Sequence, residues 1–319
     1  MSREDCRVKY VRMAKTLRIG TRGSKLALAQ TGMVARAIEA AHPGIHIEIV
    51  EIKTSGDWKP SDGETRLAEA EGGKGLFAKE IEEALLAGEV DCGVHSMKDM
   101  ASFLPRGLVI DHMLPREDAR DAFLGNAYKC LADLPRGARI GTSSLRRQAF
   151  VLAKRPDLII APLRGNVPTR IEKLRKGQVD AAVLAYAGLK RLGLEGEADC
   201  VIDIEDMLPA AGQGAVGIET RADDAQTRAL LDALHCRETG LRVAAERAAL
   251  QVLDGSCRTP IGAHAVIEDG ELRLSVVVAS ADGKQFFRED VAGPEDDAAA
   301  LGRKAGEVLK KRVPKELLE

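Results

Sequence analysis

Six arginines stand beside small, turn-forming residues: Arg22 in T-R-G-S, the pair Arg146-Arg147 in S-S-L-R-R, Arg164 in L-R-G-N, Arg170 in P-T-R and Arg191 in A-G-L-K-R. A guanidinium pairs bidentately with carboxylate or phosphate and keeps its charge at any working pH. One alone reads as a solvated surface residue; six at turns point to a small ligand with several acidic groups. His95-Ser96-Met97-Lys98-Asp99 follows an apolar strand over 90–95. In isolation Lys98 and Asp99 would be a surface ion pair of little worth. At the carboxyl end of a strand, amid arginines, the Asp99 carboxylate would instead stabilise a cationic intermediate and move a proton. His95 reads as a hydrogen-bonded structural residue. Cys257 lies in a Gly-Ser-Cys loop. Spacing alone leaves it an idle thiol, and a basic cleft that lowered its pKa would make it a nucleophile.

The elements that must position these residues occur twice. Residues 18–21 and 139–142 both read R-I-G-T, and each is followed by a helical stretch. Gly88-Glu89-Val90-Asp91-Cys92-Gly93-Val94 matches Gly177-Gln178-Val179-Asp180-Ala181-Ala182-Val183, each after a helix, 80–87 and 169–176. Further strands are expected over 45–52 and 158–163. Both halves therefore run strand, turn, helix, strand, helix, strand, the α/β pattern of a parallel sheet with helices on its faces. Helix N-termini and strand carboxyl ends gather anions. Two such lobes would face each other across a cleft suited to a small molecule.

The last 80 or so residues differ. A helix over about 240–253 leads to the Cys257 loop. Strands over 261–268, 271–279 and 285–290 are separated by Asp269-Gly270 and Asp282-Gly283, both hairpin signals. A helix over 294–311 opens with acids and ends in Lys310, Lys311 and Arg312, as the helix dipole prefers. This predicts a small α+β domain with a three-stranded antiparallel sheet. Residues 54–75, polar and Gly-rich, are expected to be a mobile loop, and residues 1–15 a disordered tail.

With 319 residues, the chain exceeds one domain of about 150 residues. Lys and Arg total 47 against 49 Asp and Glu, a net −2, and aromatics are 3%. That balance, without stacking aromatics, argues against a nucleic-acid module. No apolar run reaches the roughly 18 residues of a membrane span. The N-terminus has no apolar core of an export signal. Six cysteines without a C-x-x-C pair read as free thiols of a cytoplasmic protein, and the histidines have no metal-ligand spacing. No amphipathic stretch is left over for a partner, so a monomer is expected. Two classes stay open on this reading: an enzyme, or a non-catalytic bilobed receptor for an organic anion. The third domain, Asp99 beside the arginines and the missing export signal favour the enzyme.

R-I-G-T-R-G-S-K-L-A-L-A-Q (18–30), G-G-K-G-L-F-A-K-E (72–80), H-S-M-K-D (95–99), G-T-S-S-L-R-R-Q (141–148), L-R-G-N-V (163–167), L-A-Y-A-G-L-K-R-L-G (184–193), P-A-A-G-Q-G-A-V-G-I-E (209–219) and L-D-G-S-C (253–257) resemble the hydroxymethylbilane synthase (porphobilinogen deaminase) family from about residue 17 to the end. The resemblance implies two doubly wound, periplasmic-binding-protein-like lobes and a C-terminal domain: 16–114 with 215–232, 115–214, and 233–319. It implies a transferase of tetrapyrrole biosynthesis that deaminates porphobilinogen and joins four units into 1-hydroxymethylbilane, releasing ammonia. It also implies a dipyrromethane cofactor on Cys257 through a thioether, and no metal. Asp99 matches the catalytic aspartate, which also binds the cofactor. Lys98, Ser144, Arg146 and Arg147 match positions that hold the cofactor's acidic side chains. Arg22, Ser24, Phe77, Arg164, Arg170, Arg191 and Gln213 match residues lining the substrate path. Without the cofactor, the cleft arginines would face one another unneutralised. Two stretches depart from the family. Met100-Ala101-Ser102 follows Asp99 where Val and Pro are usual, and proline would fix the φ of that turn. Trp58-Lys59-Pro60 and Glu69-Ala70-Glu71 are less typical.

Overall fold

A computed structural model describes residues 16–55, 77–253 and 259–318. The expected tail over 1–15, residues 56–75 of the expected loop, and Cys257 lie outside the described residues.

In β1 (Thr16–Arg22), Leu17 and Ile19 are wholly buried, and the strand ends in the small residues Gly20 and Thr21. Ser24 turns the chain: its Oγ accepts the Ala27 N–H at 3.2 Å and caps α1 (Lys25–Ala41). Val34, Ala35 and Ile38 of α1 pack on Leu17, Ile19 and Val94. β2 (His46–Ile52) follows. On the other face, Ile81 and Leu85 of α2 (Lys79–Leu86) pack with Val90 and Leu108. β3 (Cys92–Ser96) and β4 (Leu108–Met113) complete this run. The second lobe repeats the plan with β5 (Asp121–Gly125), β6 (Arg139–Gly141), α3 (Leu145–Lys154), β7 (Ile159–Ala161), α4 (Val167–Arg175), β8 (Ala181–Ala185), α5 (Tyr186–Arg191) and β9 (Cys200–Val201). β10 (Val216–Arg221) then returns to the first sheet.

The sheets run β2-β1-β3-β10-β4 and β7-β6-β8-β5-β9, the same order with one strand exchanged between lobes. β1, β2 and β3 are parallel, as are β6, β7 and β8. β10 is antiparallel to β3 and β4, and β5 is antiparallel to β8 and β9, so the sheets are mixed rather than parallel throughout. The cause is where the chain enters. Val216 lies level with Ser96 at the end of β3, and Asp121 level with Ala185 at the end of β8. Both crossovers, 114–120 and 202–215, arrive at the carboxyl end of the parallel strands, so the entering strand must run back. They touch there: Glu117 N–H donates to Gly214 O at 3.1 Å. Gly214 has φ 88°, and a Cβ on it would lie 2.3 Å from Glu117 O, so glycine is required twice over.

α6 (Ala225–Leu231) and α7 (Arg237–Val252) lead to β11 (Ile261–Glu268), β12 (Glu271–Ala279) and β13 (Phe286–Pro294), an antiparallel sheet covered by α7 and α8 (Ala298–Arg312). Asp269 and Gly270 have φ 52° and 79°, the two-residue hairpin their types favour. The Asp282-Gly283 turn is longer, spanning 280–285, because the Ser280 hydroxyl accepts the Lys284 and Gln285 N–H groups. The acids Glu295–Asp297 form a 3-10 turn ahead of α8. A buried knot ties this sheet to both crossovers. Arg116 pairs bidentately with Glu246 of α7 at 2.6 and 3.1 Å and donates to Gln213 O. Glu246 also accepts the N–H groups of Gly212 and Ala265.

Candidate active site

The strand ends of both lobes open on one cleft of about 650 Å3. Its described lining carries six cations, Arg22, Lys98, Arg146, Arg147, Arg164 and Arg170, and one carboxylate, Asp99. Ser24, Phe77, Ser144 and Gln213 line it too. Arg22 leaves the end of β1 and lies over the Phe77 ring, 4.1 Å from its centroid, a cation–π contact that aims the guanidinium. Ser144 caps α3 by accepting the Arg147 N–H at 3.4 Å, as Ser24 caps α1. These two hydroxyls thus first fix the helix N-termini that face the cleft. Lys98 and Asp99 occupy a 3-10 turn, Met97–Asp99, directly after β3. Loss of hydration pushes the Lys98 ammonium down to about 8, with Asp99 pulling the other way and Arg147 and Arg170 adding to the drop.

Arg146 and Arg147 are not left to repel each other, contrary to the expectation of unneutralised arginines. Asp121, the first residue of β5 and wholly buried, accepts Arg146 Nη2 at 2.7 Å and Arg147 Nε and Nη2 at 3.1 and 2.9 Å. Gln213 Nε2 donates to the same carboxylate at 2.9 Å. Burial alone would push the Asp121 carboxyl up, but the two guanidinium charges outweigh it and hold it at about 2. Arg146 Nη1 and Arg147 Nη1 donate to Leu208 O and Val183 O. Among the described residues, the buried Arg146 Nε has no hydrogen-bond partner. Asp121 was missed by sequence reasoning; its only signal is an acid directly before the apolar run A-F-L.

On the second lobe, Arg170 Nε donates to Gly165 O at 2.7 Å, and Asn166 caps α4 through the Thr169 N–H. These bonds fix the L-R-G-N turn that carries Arg164. Arg191 is placed differently from the other arginines. It lines a small annex of about 60 Å3 behind the cleft, with Gln30, Ser96, Lys98, Arg147 and Arg170. Its Nη2 donates to Gly214 O at 2.6 Å, and burial lowers its pKa against the pull of Glu117. His95 is buried against Glu219, with 2.9 Å between Nε2 and Oε2, and takes no part in the cleft wall. Leu250 before the segment 254–258, and Thr259 and Ile261 after it, all line the cleft.

Residues 17–229 match the family described as "Porphobilinogen deaminase, dipyromethane cofactor binding domain". Residues 240–311 match "Porphobilinogen deaminase, C-terminal domain". The chain belongs to the porphobilinogen deaminase family. A porphobilinogen deaminase of Syntrophobacter fumaroxidans is 49% identical over 305 residues, covering 96% of this chain and 97% of its own. One of Paracoccus denitrificans is 48% identical over 306 residues, 95% of this chain and 96% of its own. Among solved structures, the methionine-binding protein MetQ aligns over 75% of this chain and 96% of its own, at 16% identity and a TM-score of 0.44. As a family member the chain is a transferase and carries the dipyrromethane cofactor binding domain.

Proposed function

We propose that the chain deaminates porphobilinogen and joins four units head to tail into 1-hydroxymethylbilane, with Asp99 as the catalytic carboxylate and Cys257 as the thioether attachment point. The observation that carries this assignment of roles is the cleft in which, among the described residues, Asp99 is the one carboxylate beside six cations. Each pyrrole unit brings an acetate and a propionate, and those cations answer to them. A dipyrromethane fits the same donors: Lys98, Ser144, Arg146 and Arg147 would hold its acidic side chains, and Arg146 Nε, without a partner among the described residues, suits an acceptor from a ligand. When bound, that group supplies the pyrrole carbon to which the first substrate unit is joined.

The chain's own residues do the rest. Arg22, Arg164 and Arg170, with Ser24, Phe77 and Gln213, orient the substrate by its carboxylates. Loss of ammonia from porphobilinogen leaves a methylene-pyrrole cation, and Asp99 stabilises it through the pyrrole N–H. The proton shed when the new carbon–carbon bond forms goes to the same carboxylate. Arg191, in the annex, meets the chain only as it lengthens. We read the chain as three domains, 16–114 with 215–232, 115–214 and 233–319, acting as a cytoplasmic monomer without metal, nucleic acid or membrane. Asp99→Asn keeps the shape and removes the charge, so turnover should fall by about 10²–10⁴ with the melting temperature unchanged. More than a tenth of wild-type turnover in that variant would refute the role.

A further inference from the structure

Beyond Asp99, the backbone has the shape that a proline would impose. Met100 sits at φ −76° and ψ 140°, the region to which a residue before proline is restricted. Ala101 enforces nothing of the kind. The restraint comes from α7. Arg247 Nη2 donates to Ala101 O at 2.6 Å, and the same guanidinium reaches Ser102 O at 3.4 Å and Met100 O at 3.5 Å. Gln251, one turn further along the same helix face, donates Nε2 to Ser102 O at 2.7 Å. Two side chains thus hold three consecutive carbonyls. Burial pushes the Arg247 guanidinium below its usual pKa, and the buried Glu219 carboxylate of β10 supplies the opposing charge. An arginine desolvated to bind backbone carbonyls is a costly arrangement for a mere surface contact. Neither Arg247 nor Gln251 lines the cleft.

We infer that Arg247 and Gln251 are positioning residues for Asp99. They lock the turn over 99–102 onto the helix whose end, Leu253, precedes the Cys257 segment. The turn that carries Asp99 is thereby held in one shape, as a proline at 101 would hold it. The inference rests on the reading of Asp99 as the catalytic carboxylate.

The test uses the purified holoenzyme and Arg247→Met, Gln251→Leu, Ala101→Pro, the double variant Arg247→Met with Ala101→Pro, and Asp99→Asn. Three readouts are taken: adduct fraction by intact mass, kcat and KM for porphobilinogen, and hydrogen exchange of peptides covering 99–104. Arg247→Met should keep the adduct and a KM within about twofold, while kcat falls about tenfold or more, the scale of a small misplacement. Exchange over 99–104 should quicken. Gln251→Leu should move both readouts the same way by less, and serves if Arg247→Met does not fold. Among described residues the Ala101 N–H donates no hydrogen bond, so proline removes none. Added to Arg247→Met, it should slow exchange and recover most of kcat. Wild-type kcat in Arg247→Met, or a loss that proline leaves unrepaired, would overturn the inference. An active Asp99→Asn would instead sink the reading of Asp99, whatever Arg247 does.

Discussion

Asp121 decides how much charge the arginine pair presents to the cleft. Two guanidiniums against one carboxylate leave a single net positive charge, already oriented, for a ligand's carboxylates. Removing that carboxylate should be most damaging where no ligand compensates. Asp121→Asn should therefore cost about 3–5 kcal/mol in a Cys257→Ala background, the range for an orphaned buried charge, and clearly less in the holoenzyme. Denaturant melts of the four chains of this double-mutant cycle measure it, and strict additivity would contradict shared neutralisation. Most cleft residues were legible because arginine, serine and glycine at turns carry their meaning locally. Asp121 was not: its partners lie 25 and 26 residues away, and nothing in D-A-F-L announces them. Arg191 was legible as a cleft arginine, but its place in the annex depends on how 207–215 packs, which no local pattern encodes.

At the scale of elements, the duplicated strings located both lobes because one marks a strand end and a helix start, and the other a helix end and a strand start. The antiparallel strands escaped them, since direction within a sheet depends on where a crossover enters, not on the residues of the strand. One product of that crossover is a charge problem between α2, β3 and β10. Glu219 of β10 is wholly buried, and His95 of β3 stands beside it. On α2, desolvation and then the Glu219 charge push the Glu82 carboxyl up to about 7, with His95 partly opposing. The unfolded chain would titrate near the ordinary value of 4.5. The folded form thus holds this proton more tightly. Its contribution to stability is fully present below about pH 4.5 and is lost as pH rises through about 7. Glu82→Gln should stabilise the chain at pH 8, by on the order of 1 kcal/mol after solvent screening. The gain should vanish towards pH 4.5. Melts showing an equal shift at both pH values would contradict this assignment.

The whole molecule is held by the crossovers and by the Arg116–Glu246 knot, which gathers both of them, α7 and β11 at one buried point. Arg116→Met leaves Glu246 buried without its countercharge, at a cost of about 3–5 kcal/mol. A chemical-denaturation loss below about 1 kcal/mol would show that the knot is dispensable. The three sheets were readable from the duplicated strings and the Asp-Gly turns; the knot was not, because its members come from four separate stretches. The account's central claim is that this basic cleft holds acidic pyrroles tethered at Cys257, and intact mass with peptide mapping tests it most directly. The purified chain should exceed its sequence mass by two linked pyrrole units, the added mass should map to Cys257, and Cys257→Ala should carry none. An unmodified wild-type chain, or an adduct on Cys92, Cys130, Cys200 or Cys236, would contradict it.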